Sequence, residues 1–392
     1  MTNTSASPAV IPASTSPRAP GSGAAPAPAP EPDPPRLRRQ GPLSPVERRA
    51  LLGLAAGALF EPHRPLMVNL IVTRRCNLAC GYCHEYDHTS PPVPLDVLRA
   101  RIDHLARLRT VMVTLTGGET LLHPDIVEVV AHVRARGMTP TLNTNGFPLT
   151  AGKIRALGKA GLFAMQVSVD AVTPNDVTHK ALRPLLPKLR LLAAHAKFRV
   201  RVNTVFGAAP PEEALEVVRV AMAHGFDAKC ALVRKGDGTL ETLDKGARAV
   251  YERIGRLEGR LPRSLGFLGE RFQDELLRTG RVDWKCRAGA RFFHVCEDGL
   301  VHLCAPRYGS PGKPLELYGP DDLRRAFDER KTCAATCPVA YAHQVSQVDR
   351  FRPQPNVEGN GQQADGPSHG GSAGRDQAGA DGGRGKHLPV IL

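Results

Sequence analysis

The chain is poor in aromatic residues, which make up 5% of its 392 positions with a single tryptophan, and it contains no long apolar run. Crossing a bilayer takes roughly 18 to 20 consecutive apolar residues. The longest candidate, Leu51 to Phe60, is half that length and reads as a core helix, so no membrane segment is expected. The first 45 residues lack a compact apolar stretch behind a basic start and do not read as a secretory signal. Without export the expected compartment is the reducing cytoplasm, where nine cysteines point to metal or redox chemistry rather than to disulfides. Also missing is any block of like charge longer than Arg36 to Arg39. The 52 Lys and Arg and 38 Asp and Glu are spread along the chain, so its formal charge of +14 does not lead us to expect a nucleic-acid partner, although such charge attracts phosphates.

What is present divides the chain. Residues 1–45 hold twelve prolines among Ala, Ser and Gly, too little apolar surface to offset the entropy of ordering, and are expected to be a disordered arm. Residues 346–392 are expected to be a disordered tail, with ten glycines between Gly359 and Gly385. A lead-in helix is expected within 46–65, from the apolar spacing of Val46 to Phe60 after Ser44-Pro45. From Leu66 short apolar runs alternate with amphipathic stretches, the pattern of repeated βα units on a parallel sheet. Six strands are predicted: 67–72, 111–116, 140–145, 164–170, 198–205 and 228–233. The helical stretches between them, 95–108, 126–136, 151–159, 185–194 and 212–224, are followed in three cases by a terminating glycine. Six units without a seventh or eighth predict an α/β fold, a partial (β/α)6 TIM-type barrel over 66–245.

In βα architectures ligands gather at the C-terminal ends of the strands. After the first predicted strand come Cys76, Cys80 and Cys83, three thiols within eight residues. Three thiolates at spacings of four and three can converge on a metal centre and leave one position open. A closed zinc site would need a fourth ligand, which His84 or His88 is placed to supply. An iron–sulfur cluster held by three cysteines instead keeps one iron free. The next strand ends carry Gly117-Gly118-Glu119, then Thr144-Asn145-Gly146, then Ser168-Val169-Asp170.

The Cys-x3-Cys-x2-Cys run with aromatic Tyr82 before its last cysteine, followed by these three strand ends in this order, resembles the radical S-adenosylmethionine (radical SAM) superfamily over about residues 66–236. The resemblance implies one [4Fe-4S] cluster on Cys76, Cys80 and Cys83, whose open iron binds S-adenosylmethionine. Reductive cleavage of that cofactor then gives a 5'-deoxyadenosyl radical that takes hydrogen from a substrate. It further implies that Gly117 and Gly118 admit the methionyl end of the cofactor and that Glu119 accepts from its ammonium group, with Thr120 where the family usually has proline. Ser168 and Asp170, and with less support Asn203, are candidates for the ribose hydroxyls; Tyr82 is a candidate for the adenine. Asn145 is a further cofactor-side candidate, with a strand-ending turn as its alternative.

A second cysteine set lies within 246–345. Cys286 and Cys304 flank a hairpin signal, 292–295 and 300–303 around Glu297-Asp298-Gly299, and Cys333-x3-Cys337 follows an amphipathic stretch at 321–327. This arrangement resembles the C-terminal SPASM and twitch extensions of radical SAM enzymes and implies an auxiliary [4Fe-4S] cluster on Cys286, Cys304, Cys333 and Cys337; a four-cysteine zinc site is the alternative. Cys296 and Cys230 are expected in the core. The function implied is hydrogen abstraction from a small molecule or a peptide, supplied with electrons by a carrier such as flavodoxin or ferredoxin. An RNA-modifying enzyme and a non-catalytic metal-binding protein remain as alternatives.

Overall fold

A computed structural model describes residues 60–83, 86–233, 240–258, 271–304 and 312–351, together with Arg48, Leu52 and Ala56. The expected arm at 1–45 and the glycine-rich stretch after 351 lie outside the described residues. Of the expected lead-in helix, Arg48, Leu52, Ala56 and Phe60 are described, all helical and exposed, and Pro62 and His63 already form a turn. The described residues continue past the expected boundary at 346. Residues 348–351 form a 3-10 turn in which Asp349 is buried, because its carboxylate is drawn in by two arginines.

Six strands, β1 (Met67–Thr73), β2 (Met112–Gly117), β3 (Thr139–Thr144), β4 (Ala164–Ser168), β5 (Arg199–Phe206) and β6 (Asp227–Leu232), alternate with five helices. These are α1 (Leu95–Arg107), α2 (Ile126–Ala135), α3 (Ala151–Lys159), α4 (Leu182–His195) and α5 (Pro211–Ala223). The strands pair in parallel and in chain order. Val68, Leu70 and Val72 of β1 are buried in one core with Leu98, Ile102 and Leu105 of α1. Strand alternation turns the residues between them to the opposite face. There Asn69, Thr114 and Thr141 stand in register, with the two threonine hydroxyls 2.8 Å apart. One face of the sheet is therefore sealed by helices and the other carries a polar row.

The chain continues through α6 (Lys245–Leu257), α7 (Arg271–Thr279), a hairpin of β7 (Phe292–Val295) and β8 (Leu300–His302), the short β9 (Lys313–Pro314), α8 (Pro320–Asp328) and α9 (Ala340–Gln347). The hairpin was expected to belong to a separate extension. It instead prolongs the barrel sheet: β7 lies parallel beside β1, with Met67 opposite Phe292, in the order β6-β5-β4-β3-β2-β1-β7-β8-β9. The sheet is open, ending at β6 and β9. The carbonyl of Arg291 accepts from the amides of both Leu66 and Met67 at 2.7 and 3.1 Å, which joins the hairpin to the start of β1.

This topology separates the two cysteine sets. Cys76, Cys80 and Cys83 follow the C-terminal end of β1, whereas Cys286 and Cys304 share a packed cluster with Met67 and Phe292, the first residues of β1 and β7. The seven residues of β1 at about 3.3 Å per step put the two sets about 20 Å apart along the strand direction.

Candidate active site

The cysteine loop is built on its own backbone. Cys76 N donates to Asp87 O and Asp87 N to Arg74 O, both at 2.9 Å, so residues 74–87 close on themselves. Gly118 N donates to Thr73 O and Glu119 N to Arg75 O, also at 2.9 Å, which lays the end of β2 against the loop. A Cβ on Gly117, whose φ is 137°, would sit 2.1 Å from Thr73 O, and one on Gly118 would sit 2.2 Å from Arg74 O. The glycines are thus required first by the protein's own chain; the sequence suggested only approach to a cofactor.

Glu119 is fully buried. Its Oε1 accepts from Leu121 N (2.9 Å) and Thr144 Oγ1 (2.6 Å), and Oε2 accepts from Asn145 N (2.6 Å). Burial pushes this carboxyl above the usual range, while those three donors and Lys180 pull it back. Asn145 in turn donates from Nδ2 to Asn77 Oδ1 at 2.8 Å, with the same nitrogen 3.8 Å from Cys76 Sγ. The strand ends of β2 and β3 therefore hold the loop in place through Glu119 and Asn145. Desolvation raises the Cys76 thiol to about 11, opposed by the Leu78 amide and Lys180. A thiol so placed releases its proton readily only to a metal.

Asp170, a candidate for the ribose, is placed beside Tyr82. It is fully buried; its Oδ2 accepts from Tyr82 Oη and, at 3.3 Å, from Thr178 Oγ1, and Lys180 Nζ lies 3.8 Å away. These contacts tie Asp170 to Tyr82 through one carboxylate oxygen, Oδ2. Tyr82 is itself buried, with Lys180 Nζ 5.0 Å from its ring centroid and its own hydroxyl proton held more tightly than usual by burial. The other two ribose candidates do come together: Ser168, the last residue of β4, and Asn203, within β5, are register partners on the polar face.

Lys180 was missed by the sequence reading. Burial works against its charge, but Asp170, Tyr82, Cys80 and Cys83 hold its pKa well above the ordinary lysine value. It is thus a fixed cation between the cysteine loop and Asp170. The available signal was a lone basic residue in the loop after β4, ahead of α4. Thr178, 3.9 Å from Cys80 Sγ, was missed for the same reason.

Of the histidines weighed as zinc ligands, His84 lies outside the described residues and His88 places Nδ1 2.9 Å from Cys76 O. His123 is buried as a turn residue, contacting Val93 O and accepting from Asp125 N. Cys230 and Cys296 are buried, Cys230 in a core cluster under α5 and α6.

The second set does meet. Cys286, Cys304, Cys333 and Cys337 line one cavity, walled otherwise by Ala288, Phe292, Leu303 and other apolar side chains, with Lys331 the sole charged residue among them. Burial pushes the Cys286 thiol up to about 12, the Ala288 amide opposing. Among the described residues, no three His, Cys, Asp or Glu side chains are gathered closely enough to hold a single metal ion.

Residues 70–233 match the family model of the radical SAM superfamily. A PqqA peptide cyclase of Methylocella silvestris is 33% identical over 167 residues, 39% of this chain and 43% of that protein. One of Xanthomonas campestris pv. campestris is 33% identical over 176 residues, 42% of this chain and 45% of that protein. An AdoMet-dependent heme synthase of Methanosarcina barkeri is 29% identical over 199 residues, 48% and 56% of the two chains. The chain spans about half the length of the curated relatives it matches. Among solved structures, Streptococcus suis SuiB bound to precursor peptide SuiA is similar with a TM-score of 0.54 at 13% identity, covering 77% of this chain and 74% of that one. That likeness is one of fold.

Proposed function

We propose, because residues 70–233 match the radical SAM family model, that the protein is a radical SAM enzyme acting on a peptide, with a [4Fe-4S] cluster on Cys76, Cys80 and Cys83 and an auxiliary cluster on Cys286, Cys304, Cys333 and Cys337. When bound, the first cluster supplies the electron that splits S-adenosylmethionine into methionine and a 5'-deoxyadenosyl radical, which removes hydrogen from the substrate. The observation that carries this reading is the convergence of Glu119, Asn145 and Lys180 on the cysteine loop, since a scaffold that needed only packing has no use for three buried polar side chains around thiols.

The residues divide the work. Glu119 holds the loop through Asn145 and keeps acceptor capacity on Oε2 for an ammonium group. Lys180 offers a cation to a carboxylate. Ser168 and Asn203 present adjacent hydroxyl and amide groups for a vicinal diol. Tyr82, braced by Asp170, closes one wall beside the adenine. At the other end the thiols of the second set are distributed around an apolar wall, which suits a cluster that brings its own sulfide and iron better than a tetrahedral zinc with bonds of about 2.3 Å. The polar row of Asn69, Thr114 and Thr141 crosses β1, β2 and β3 at a level between the two ends and offers hydrogen-bonding groups to a substrate backbone. A peptide is favoured by the names of the PqqA peptide cyclases among the relatives.

Anaerobic reconstitution tests this. Dithionite and S-adenosylmethionine should yield 5'-deoxyadenosine and methionine with the wild-type chain and none with Cys80→Ala. Failure of the fully iron-loaded wild type to do so overturns the reading.

A further inference from the structure

An open cleft of about 780 Å³, counting its mouth, adjoins the cavity of the second cysteine set and shares two residues with it, Cys286 and Lys331. The other residues lining it are Asp283, Trp284, Lys285 and Arg330. Lys285 and Arg330 are exposed, whereas Lys331 is buried, its ammonium held by the carbonyl of Ala326 and by Glu329. Two exposed cations, Lys285 and Arg330, and one carboxylate, Asp283, thus surround an opening whose floor is one of the four thiols, while the charge of Lys331 is met by Glu329.

We propose that this cleft is the docking site of a small acidic one-electron carrier, a protein of the flavodoxin or ferredoxin class, which exchanges its electron with the auxiliary site. This rests on the auxiliary-cluster reading above. One electron leaves the reduced carrier and enters the auxiliary site; no bond is made or broken and no group is transferred. The geometry favours this for three reasons. Cys286 belongs to both spaces, so a carrier seated in the cleft adjoins one of the four thiols directly. The cations steer and orient a partner of opposite charge without requiring a large apolar interface, as suits brief electron-transfer encounters. The indole of Trp284, buried in the apolar cluster and braced edge-on by His343, gives the cleft a rigid wall.

The test is stopped-flow oxidation of flavodoxin hydroquinone by anaerobically purified holoenzyme, comparing wild type, Lys285→Glu/Arg330→Glu, and a control reversal on the barrel helices, Arg155→Glu/Arg190→Glu. The expected result is a roughly tenfold or greater slowing in the cleft variant alone, with the wild-type rate falling as salt rises and the cleft variant's rate nearly flat. Iron content and reduction by dithionite should be equal in all three proteins, which separates docking from folding. Equal flavodoxin rates in the wild type and cleft variant overturn the proposal. If that variant instead loses only its retention of a mixed-sequence RNA oligonucleotide, the cleft serves nucleic acid and the proposal fails. Iron missing from a Cys76→Ala/Cys80→Ala/Cys83→Ala chain overturns the auxiliary cluster itself, and the docking proposal with it; iron present there with unchanged flavodoxin rates overturns docking alone.

Discussion

The phenol of Tyr82 donates its hydrogen bond to the carboxylate of Asp170, across the fully buried junction between the cysteine loop and the end of β4. Lys180 completes the junction as a counter-ion 3.8 Å from the same oxygen. Tyr82→Phe removes one partner and leaves the other buried, a loss of about 1 to 3 kcal/mol. Asp170→Ala should cost more, because it strands both the phenol and the ammonium. Thermal unfolding of the two single variants and the double variant should show non-additive losses, and additivity would show that the pair does not act as a unit. Both variants should also weaken S-adenosylmethionine binding, measured calorimetrically on reconstituted protein.

Gly118 fixes where the loop sits. A methyl group at this position would meet two backbone carbonyls, Arg74 O at 2.2 Å and Arg75 O at 2.6 Å, and neither can move without pulling on the cysteines that follow. Gly118→Ala should therefore lose iron selectively from the site at Cys76, Cys80 and Cys83, while the second site keeps its own. Iron analysis and electron paramagnetic resonance of the purified variant check this. A second glycine-to-alanine change, at exposed Gly152 in α3, where the added carbon meets only the Thr150 hydroxyl at 3.9 Å, should leave both iron signals intact.

The alternation of apolar runs with helical stretches placed all six parallel strands to within one or two residues, because each strand is buried on the helix side and its composition records that burial. That Cys286, Cys304, Cys333 and Cys337 line one cavity was implied by the family resemblance rather than by their spacing. The sequence could not show that β7 pairs with β1, since strand neighbours more than two hundred residues apart leave no mark in local periodicity. Nor could it show the contacts of Asp170 with Tyr82 and Lys180, because a carboxylate at a strand end reads the same in sequence whatever it faces.

His294 of β7 is buried beside His302, its register partner on β8. Desolvation, with the neighbouring His302 adding to it, lowers its pKa from 6.5 to about 4. The folded state therefore refuses a proton that the unfolded chain accepts between those values. Above pH 6.5 both states are neutral there and nothing is lost. As pH falls from 6.5 toward 4 the unfolded state is favoured progressively, by about 3 kcal/mol in all. Urea unfolding at pH 7 and pH 5 should show this acid loss in the wild type and a smaller one in His294→Gln, after allowing for the variant's own lower baseline. An identical pH slope in both proteins would remove His294 as its source.

Arg291 and Asp349 form the most completely buried ion pair described in the chain, with Nη2 and Oδ1 2.5 Å apart and side chains 0% and 3% exposed. Arg287 shares the same carboxylate at 3.4 Å, and Arg291 Nη1 donates to Glu61 O at 2.6 Å. Three distant segments thus meet at one guanidinium: the stretch before β1, the stretch before β7, and the turn after α9. Desolvating these charges makes the pair's net worth modest, but removing one partner leaves the others buried without compensation, a penalty of about 3 to 5 kcal/mol. Asp349→Ala should therefore lower the unfolding temperature markedly. Arg291→Met/Asp349→Leu, which replaces the charges with apolar volume, should recover much of the loss. Because Arg291 O also receives the amides of Leu66 and Met67, a loosened Arg291 frees the β1–β7 seam, and hydrogen exchange at Leu66 and Met67 should quicken in Asp349→Ala ahead of that in β3 and β4. Uniform quickening across the sheet would mean that the ion pair stabilises the whole fold rather than this seam.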